Sequence, residues 1–385
     1  MSIIMFTGSR ADYYLLYPLY KALSKKYAIK FLVSGGHLDN DQGYTLDLIK
    51  KDSTVAYDIV PFTLNNENKA TKKSENSALL GTTIASALNA FSLYLKKEQV
   101  DLFIVLGDRY EAFAATLAAN LQGIAILHLH GGEETLGAQD NYFRHCMTKL
   151  STYHFVSCEK YRQRVIQMGE HENRVLNVGS LGVYNVVHEI ECTKDDIYKE
   201  LNIKDKRDYF LITYHPVTMD RQDPKYLIDN LLGALSSFSQ YNFIFTAANA
   251  DLNGGVFNDA IKAYCKDHDN AYFFYSLGMY RYINAMRHAA LILGNSSSAI
   301  IEAPSLNCHI LDIGNRQKGR ERSSCVKHCA PDLSAIVYGI NSALSIKENN
   351  LVNPYYNDKT LDSMVEAIAL FDTTKFMQKP FCSIR

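Results

Sequence analysis

The feature that most constrains this chain is a regular alternation of short apolar runs with longer helix-like segments. In the first half, the apolar runs cover residues 2–7, 29–34, 101–107, 124–129 and 153–157. These runs are apolar almost throughout instead of alternating with polar residues, which is typical of strands buried on both faces. Buried strands spaced by helices predict a parallel sheet with helices on both sides.

The alternation starts again in the second half of the chain. The second series of apolar runs covers residues 209–214, 242–247, 271–276, 291–296 and 309–314, after a charged stretch at 191–209. We therefore expect an α/β protein of two Rossmann-like, doubly wound domains, at residues 1–190 and 191–360. A C-terminal helix and tail, residues 361–385, could pack on either domain, including back on the first. The expected active site is a cleft that faces the carboxyl ends of both strand sets.

Composition excludes several function classes. The formal net charge is −1 and no Lys/Arg cluster stands out, so a nucleic-acid partner is not expected. No apolar run reaches the ~18 residues of a membrane span, and the N-terminus does not read as a signal peptide. The 8 cysteines lack CxxC pairs, which favours reduced thiols and a cytoplasmic location. Cys325, His328 and Cys329 are too few for a convincing metal site, so no metal is expected.

Polar residues follow the strands of the first half. Arg10 comes after the first strand, where it could contact a phosphate or only cap the next helix; no GxGxxG dinucleotide fingerprint is present. Asp108 follows the run at 101–107, and both helix capping and a place in the cleft explain it.

The stretch from 128 to 155 is denser in titratable groups. His130 and Glu133 flank a Gly-Gly turn, and Asp140 and Arg144 follow, four residues apart as in a helical surface ion pair. So many charges near a sheet edge need water or a polar ligand, which favours a functional site.

The second half carries its own set of polar residues. His215 directly follows a strand and precedes a proline. This position is equally compatible with a structural role and with a functional role. A Gly-Asn-Ser-Ser-Ser turn then opens a helix, which suits a diphosphate, and Glu302 is spaced to accept from ribose hydroxyls. A basic loop at 314–322 could clamp a phosphate. The candidate ligand-binding residues here are Gly278, Asn295, Ser296, Ser297, Ser298, Glu302, Arg316, Gln317 and Lys318.

These stretches, in this order and spacing, resemble the hydrolysing UDP-N-acetylglucosamine 2-epimerases, especially the bacterial branch of sialic-acid and legionaminic-acid biosynthesis. The stretches are “TGSRADYYLL”, “LGDRYEAFAAT”, “HLHGGEETLGAQDNYFRHCMTKLS”, “TYHPVT”, “FTAANAD”, “GNSSSAIIEAP” and “IGNRQKGR”. The resemblance implies a glycosyltransferase-B type fold. It also implies cleavage of UDP from a UDP-2-acetamido sugar with inversion at C2, and release of free N-acetylmannosamine or a near relative.

The resemblance also implies roles for individual residues. Asp108, Asp140 and His215 match positions used in catalysis or diphosphate contact, and Arg144 matches an arginine beside the catalytic acid. The matches to the nucleotide site are Arg10, Ser296, Ser297 and Glu302. Many relatives have a catalytic glutamate where this chain has His130, which leaves open whether His130 or Glu133 does that work.

The reaction that the resemblance implies needs a base for the C2 proton and a clamp on the departing diphosphate, but no metal or other cofactor. The expected partner is a UDP-sugar, and a homo-oligomer, either dimer or tetramer, is expected. Four alternatives stay open: a glycosyltransferase, a non-catalytic sugar-nucleotide sensor, a non-hydrolysing epimerase, and the same hydrolysis of UDP-2,4-diacetamido-2,4,6-trideoxyglucose.

Overall fold

The computed structural model describes residues 1–39, 44–63, 73–136, 140–217, 222–248, 254–346, 352–375 and 379–383. The chain forms two compact units. The first unit is Met1–Glu133, Asp140–Leu181 and Asn357–Arg385, and the second is Glu134–Gln139 and Gly182–Tyr356. The domain limits expected from the sequence, residues 190 and 360, remain predictions. A compact unit need not end where an independently folding domain ends.

The first unit is built on one parallel sheet. Its strands are β1 (Ser2–Thr7), β2 (Ala28–Val33), β3 (Tyr57–Ile59), β4 (Leu102–Leu106), β5 (Ala125–Leu129), β6 (Tyr153–Val156) and β7 (Val175–Asn177). They pair in the order β3-β2-β1-β4-β5-β6-β7. Its helices are α1 (Arg10–Leu23), α2 (Leu46–Lys50), α3 (Lys73–Leu95), α4 (Tyr110–Leu121), α5 (Asp140–Leu150), α6 (Glu159–Gln167) and, late in the chain, α14 (Thr360–Ala369).

Both faces of this sheet are covered, which explains why its strands are apolar throughout. On one face α1 and α14 contribute Leu16, Leu19 and Met364 to a buried cluster. On the other face α3 and α4 contribute Phe91 and Ala115. The C-terminal helix therefore completes the core of the first unit.

The second unit repeats the plan. Its strands are β8 (Tyr209–Thr213), β9 (Asn242–Thr246), β10 (Ala271–Phe274), β11 (Leu291–Gly294), β12 (Ile310–Ile313) and β13 (Val326–Cys329). They pair in parallel in the order β10-β9-β8-β11-β12-β13. Its helices are α7 (Leu181–His188), which begins at the boundary, α8 (Lys194–Glu200), α9 (Pro224–Leu235), α10 (Gly254–Asp267), α11 (Gly278–His288), α12 (Ser297–Ile301) and α13 (Leu333–Leu344).

The predicted fold class is confirmed. All ten predicted strands are present, and counted within each unit both sheets contain the 3-2-1-4-5-6 strand order of the Rossmann fold. Sequence reading missed β3, β7 and β13, which are short and lie at sheet edges. Among the described helices, none has the length and apolar character needed to cross a membrane.

A buried carboxylate fastens the C-terminal tail to the first unit. Glu170 is 1% exposed. Its carboxylate lies 2.6 Å from Nζ of Lys149, 2.8 Å from Nζ of Lys379 in the tail and 3.1 Å from Nε2 of His154. Burial raises the pKa of Glu170, but the hydrogen bonds from these three residues outweigh it and hold the pKa at about 2.

We expect Glu170→Gln to lower the free energy of unfolding at neutral pH by about 1.5–3 kcal/mol, because the ammonium groups of Lys149 and Lys379 lose the carboxylate that they share. The folded-state pKa of Glu170 is below its ordinary value of 4.5, so its contribution is full above that pH and is lost as the pH falls towards 2. Urea unfolding at pH 7 and at pH 3.5 should therefore show a smaller difference from the parent at the lower pH.

The exposed Glu172 offers the matched control, since Glu172→Gln should stay within about 0.5 kcal/mol of the parent. Equal stability of Glu170→Gln and the parent at pH 7 would contradict the role given to the buried carboxylate.

Candidate functional site

In each unit the candidate residues collect where the strand order changes direction. In the first unit this point lies between β1 and β4, and Arg10 and Asp108 follow those two strands. In the second unit it lies between β8 and β11, which His215 and Asn295 follow. Ligands of open α/β sheets bind at such switch points, outside the carboxyl ends of the strands.

Arg144 organises the polar residues of the first unit. Its side chain is 2% exposed. The guanidinium donates to the carboxylate of Asp108, to the backbone oxygen of Glu133 at 2.9 Å and to Oδ1 of Asn141 at 3.2 Å. The four-residue spacing of Asp140 and Arg144 suggested an ion pair on the surface of a helix, but Arg144 is buried. Asp108, whose side chain is 24% exposed, is held by a cation and still reaches solvent.

His130 and Glu133 form a pair in the turn after β5. Nδ1 of His130 lies 3.0 Å from Oε1 of Glu133, and the Ser157 hydroxyl donates to the same oxygen at 3.0 Å. Glu133 is 3% exposed. The backbone of His130 has a φ of 65°, a left-handed conformation that is uncommon outside glycine.

The other two candidates of the first unit begin helices. Arg10 is the first residue of α1 and Asp140 the first residue of α5, and both are half-buried. An acidic residue in the first turn suits the helix dipole, so position alone gives Asp140 a structural role as well.

Sequence reading gave too little weight to a second charged cluster in the first unit. Glu111 is fully buried and accepts from Nε of Arg109, while its Oε2 has no hydrogen-bond partner within the described residues. A Cβ on Gly8 would come within 2.7 Å of Cγ of Glu111, so only glycine fits there. Burial raises the pKa of the neighbouring Asp12 to about 6, against the opposing effect of Arg109. The sequence signal that could have identified this cluster was the position of Glu111, three residues after Asp108.

Asn295 joins the ends of β8 and β11 in the second unit. Its Oδ1 accepts from the backbone N–H of His215 at 2.7 Å, and its Nδ2 donates to the His215 carbonyl at 2.8 Å. Its own carbonyl accepts from Gln317 at 2.9 Å and from Arg316 at 3.2 Å. Burial, reinforced by Arg316, lowers the pKa of His215 well below its ordinary value, so His215 is uncharged at neutral pH.

The serine turn after β11 is more specific than an ordinary helix cap. The hydroxyls of Ser296 and Ser298 lie 2.9 Å apart, and the Tyr282 hydroxyl lies 2.6 Å from that of Ser298. Ser297 is half-buried, and its hydroxyl makes no hydrogen bond within the described residues. The helix that the turn opens, α12, has only 5 residues, so its dipole is small and the hydroxyls matter more.

The remaining predicted contacts of the second unit have different surroundings. Glu302 lies against Gly182, where a Cβ would come within 2.6 Å of its Oε1. Gln317 is 1% exposed, whereas Lys318 of the same loop is exposed. Gly278 begins α11 with a φ of 71°, a conformation that favours glycine.

The two sheets define a two-unit, Rossmann-like α/β protein with candidate residues at the switch point of each sheet. Solved structures share this fold. The UDP-GlcNAc 2-epimerase of Neisseria meningitidis bound to UDP-GlcNAc superposes with a TM-score of 0.77 at 16% identity, covering 96% of this chain and 100% of that one. The UDP-GlcNAc 2-epimerase of Methanocaldococcus jannaschii, in complex with UDP-GlcNAc and UDP, gives 0.76 at 18% identity, with coverage of 96% and 100%.

Sequence comparison gives the family. Residues 21–369 match the family described as UDP-N-acetylglucosamine 2-epimerase. The chain is 34% identical over 380 residues to polysialic acid biosynthesis protein P7 of Escherichia coli, covering 97% of this chain and 95% of the relative. It is 36% identical over 324 residues to the GDP/UDP-N,N'-diacetylbacillosamine 2-epimerase (hydrolyzing) of Campylobacter jejuni, covering 83% and 82%. The chain therefore belongs to the UDP-N-acetylglucosamine 2-epimerase family.

We expect Asn295→Ala to lower the free energy of unfolding by about 2–4 kcal/mol, because two buried backbone groups of His215 lose partners worth ~1–3 kcal/mol each. Urea unfolding measures the effect. The exposed Asn341 of α13 is the control: Asn341→Ala should change stability by less than about 0.5 kcal/mol. Unchanged stability of Asn295→Ala would contradict the cross-link.

Proposed function

We propose that this protein is a hydrolysing 2-epimerase that converts UDP-N-acetylglucosamine and water to N-acetylmannosamine and UDP, for sialic-acid-type sugar biosynthesis. The observation that carries the proposal is the concentration of acid–base groups after the neighbouring strands β4 and β5 in a member of this family. Asp108 is paired with the buried Arg144, and His130 with the buried Glu133. The relative from Campylobacter jejuni, whose name includes “hydrolyzing”, supports the hydrolytic outcome.

The chemistry takes place in two stages. In the first, a base removes the C2 proton, a C1–C2 double bond forms and the C1–oxygen bond breaks, so UDP leaves. In the second, water adds to C1 of the glycal-like intermediate, and an acid delivers a proton to C2 from the opposite face. Two acid–base groups on opposite faces are therefore required. The carboxylates and imidazole of the first unit, namely Asp108, His130, Glu133 and Asp140, provide this chemistry.

The second unit holds UDP in this proposal. The free hydroxyl of Ser297 and the N–H groups of the serine turn donate to the diphosphate, and Arg316 supplies positive charge beside them. His215 is uncharged, so it contributes a hydrogen bond instead of a charge. Glu302 accepts from the ribose hydroxyls. Arg10, at the start of α1, adds a second cation to the departing diphosphate.

A second substrate has specific support. The relatives from Campylobacter jejuni and Legionella pneumophila, 36% and 33% identical to this chain, are both named diacetylbacillosamine 2-epimerases (hydrolyzing). That sugar is the 2,4-diacetamido-2,4,6-trideoxyglucose considered above, and it differs from N-acetylglucosamine at C4 and C6 only. The chemistry at C1 and C2 is the same for both substrates. The non-hydrolysing reaction would instead return UDP-N-acetylmannosamine.

The products decide between these reactions. We expect UDP and a free 2-acetamido sugar of manno configuration, carrying deuterium at C2 when the reaction runs in D₂O, because the C2 proton comes from solvent. In ¹⁸O water, UDP should contain no ¹⁸O, because the C1–oxygen bond breaks and not the bond to phosphorus. NMR and mass spectrometry with each UDP-sugar make the measurement. Accumulation of UDP-N-acetylmannosamine without free sugar would show the non-hydrolysing reaction.

We also expect activity to survive exhaustive treatment with EDTA, because the proposed steps use only protein acid–base groups and hydrogen-bond donors. The assay compares UDP release before and after chelation. Loss of activity that a single added divalent metal restores would overturn this expectation.

Asp140→Asn and Ser297→Ala should separate the two functions. Removing a general acid typically lowers the rate by ~10²–10⁴, and the nearly isosteric asparagine should leave UDP affinity unchanged. Removing the Ser297 hydroxyl should weaken UDP binding by ~1.5–3 kcal/mol, the value of a hydrogen bond to a charged group, while the rate at saturation persists. Calorimetry and single-turnover kinetics make each variant the control for the other. The reverse pattern would exchange the assignments.

A further inference from the structure

We propose that His130 and Glu133 work as a dyad, in which Nε2 of His130 takes the C2 proton of the sugar while Glu133 positions the imidazole. The C2–H bonding pair becomes the C1–C2 double bond as the C1–oxygen pair leaves with UDP, and the proton goes to Nε2. Because this step belongs to the proposed reaction, the inference rests on the proposed function. It assigns His130 as the catalytic residue and Glu133 as the positioning residue.

The hydrogen bond between the two side chains sets the state of the imidazole. Oε1 of Glu133 lies 3.0 Å from Nδ1 of His130. An ionised carboxylate only accepts hydrogen bonds, so Nδ1 is the donor in this contact and Nε2 is the nitrogen available to accept a proton. The Ser157 hydroxyl donates to the same oxygen at 3.0 Å and so helps to fix the carboxylate. The imidazole is thus oriented as a base.

The second ring nitrogen of His130, Nε2, makes no hydrogen bond to the described residues, and this nitrogen is buried. A buried polar group without a partner costs ~1–3 kcal/mol. His128, two residues earlier, behaves as a structural histidine: its Nε2 lies 2.9 Å from the carbonyl of Gly107 and its Nδ1 3.2 Å from the Thr148 hydroxyl. Of these two histidines, His128 in β5 has both ring nitrogens in contact with partners, whereas His130 has one nitrogen left for a ligand.

The backbone holds this arrangement despite its strain. The φ of 65° at His130 is unfavourable for a residue with a Cβ. The His130 N–H donates to the carbonyl of Phe155 at 2.8 Å, and Arg144 donates to the carbonyl of Glu133 at 2.9 Å. Between them Gly132, with a φ of 77°, lies so close to the Tyr161 carbonyl that a Cβ would come within 2.6 Å. Strain retained at a buried turn is typical of positions selected for function.

The carboxylate of Glu133 is already engaged within the fold, because His130 and Ser157 both contact its Oε1. After proton transfer the ring becomes an imidazolium, and the adjacent carboxylate stabilises that charge where it forms. The carboxylate therefore acts through the imidazole.

The test uses the full chain with His130→Asn, Glu133→Gln and the double variant. Asparagine tolerates a positive φ, so His130→Asn keeps the turn but removes the base. We expect kcat to fall by ~10²–10⁴ in each single variant, with KM nearly unchanged. The double variant should be no slower than His130→Asn, because the two residues act as one unit. The control, Glu159→Gln, makes the same charge change at an exposed glutamate of α6 and should keep the parent kcat.

The outcomes separate two failures. If Glu133→Gln keeps the parent kcat, or if the losses multiply in the double variant, Glu133 does not act through His130 and the dyad is wrong. If the parent releases neither UDP nor free sugar, the proposed function is wrong. In that case the dyad is tested separately, by NMR spectroscopy of ¹⁵N-histidine-labelled protein. The Nδ1 proton of His130 should resonate downfield and shift upfield in Glu133→Gln but not in Glu159→Gln; identical spectra would overturn the dyad.

Two controls distinguish loss of catalysis from loss of folding. Near-ultraviolet circular dichroism and calorimetry with UDP should match the parent for His130→Asn. Ser157→Ala serves as a milder second variant, since it removes one of two contacts to Oε1 and leaves the carboxylate in place. An intermediate loss of kcat, with an intermediate shift of the Nδ1 proton, is expected for it; no change in either quantity would argue against Glu133 as the positioning residue.

Discussion

A charged guanidinium, that of Arg144, lies almost completely out of water in the first unit, with 2% of its side chain exposed. It is tolerated because it donates to the carboxylate of Asp108, after β4, and to the carbonyl of Glu133, after β5. An unpaired guanidinium at this depth would cost several kcal/mol. The two turns and α5 therefore have to be formed together, and the candidate acid–base groups are positioned relative to one another as a consequence.

Buried histidines are a second element of the electrostatics. Burial lowers the pKa of His37 to about 4 and that of His128 to about 3, and it lowers the pKa of His154 despite the opposing effect of Glu170. These imidazoles are uncharged at neutral pH and act as hydrogen-bonding cross-links, for example between Thr7 and Thr45 through His37.

Sequence reading predicted the central part of this structure well and its margins poorly. Central strands are recognised because both of their faces are buried, and that makes them apolar throughout. Edge strands such as β3 and β13 have fewer neighbours, and two of the four residues of β13 are exposed, so no apolar run marks it. The strand order could not be predicted either, since it depends on contacts between distant segments.

The site shows the same division. His130, Glu133, Asp108 and Arg144 were selected as candidates because chemistry-bearing residues follow predicted strands. Their pairing was not predictable, since four-residue spacing suggested Asp140 as a surface partner for Arg144, whereas packing buries the guanidinium against Asp108. The Glu111 side chain packs against Gly8 and Gly35, which are distant from it in sequence. A contact between residues so far apart in the chain cannot be predicted from the local sequence pattern.

The order in which a ribosome makes the chain has a consequence for its first unit. Residues Leu181 and Thr360 are separated by the second unit, yet α14 fills one face of the first sheet with Met364 and Ile368. At ~5–20 residues per second, that face waits about 10–40 s for its covering helix. During this interval the second unit, mostly one continuous segment, can complete its core while the nascent first unit presents an apolar surface to chaperones.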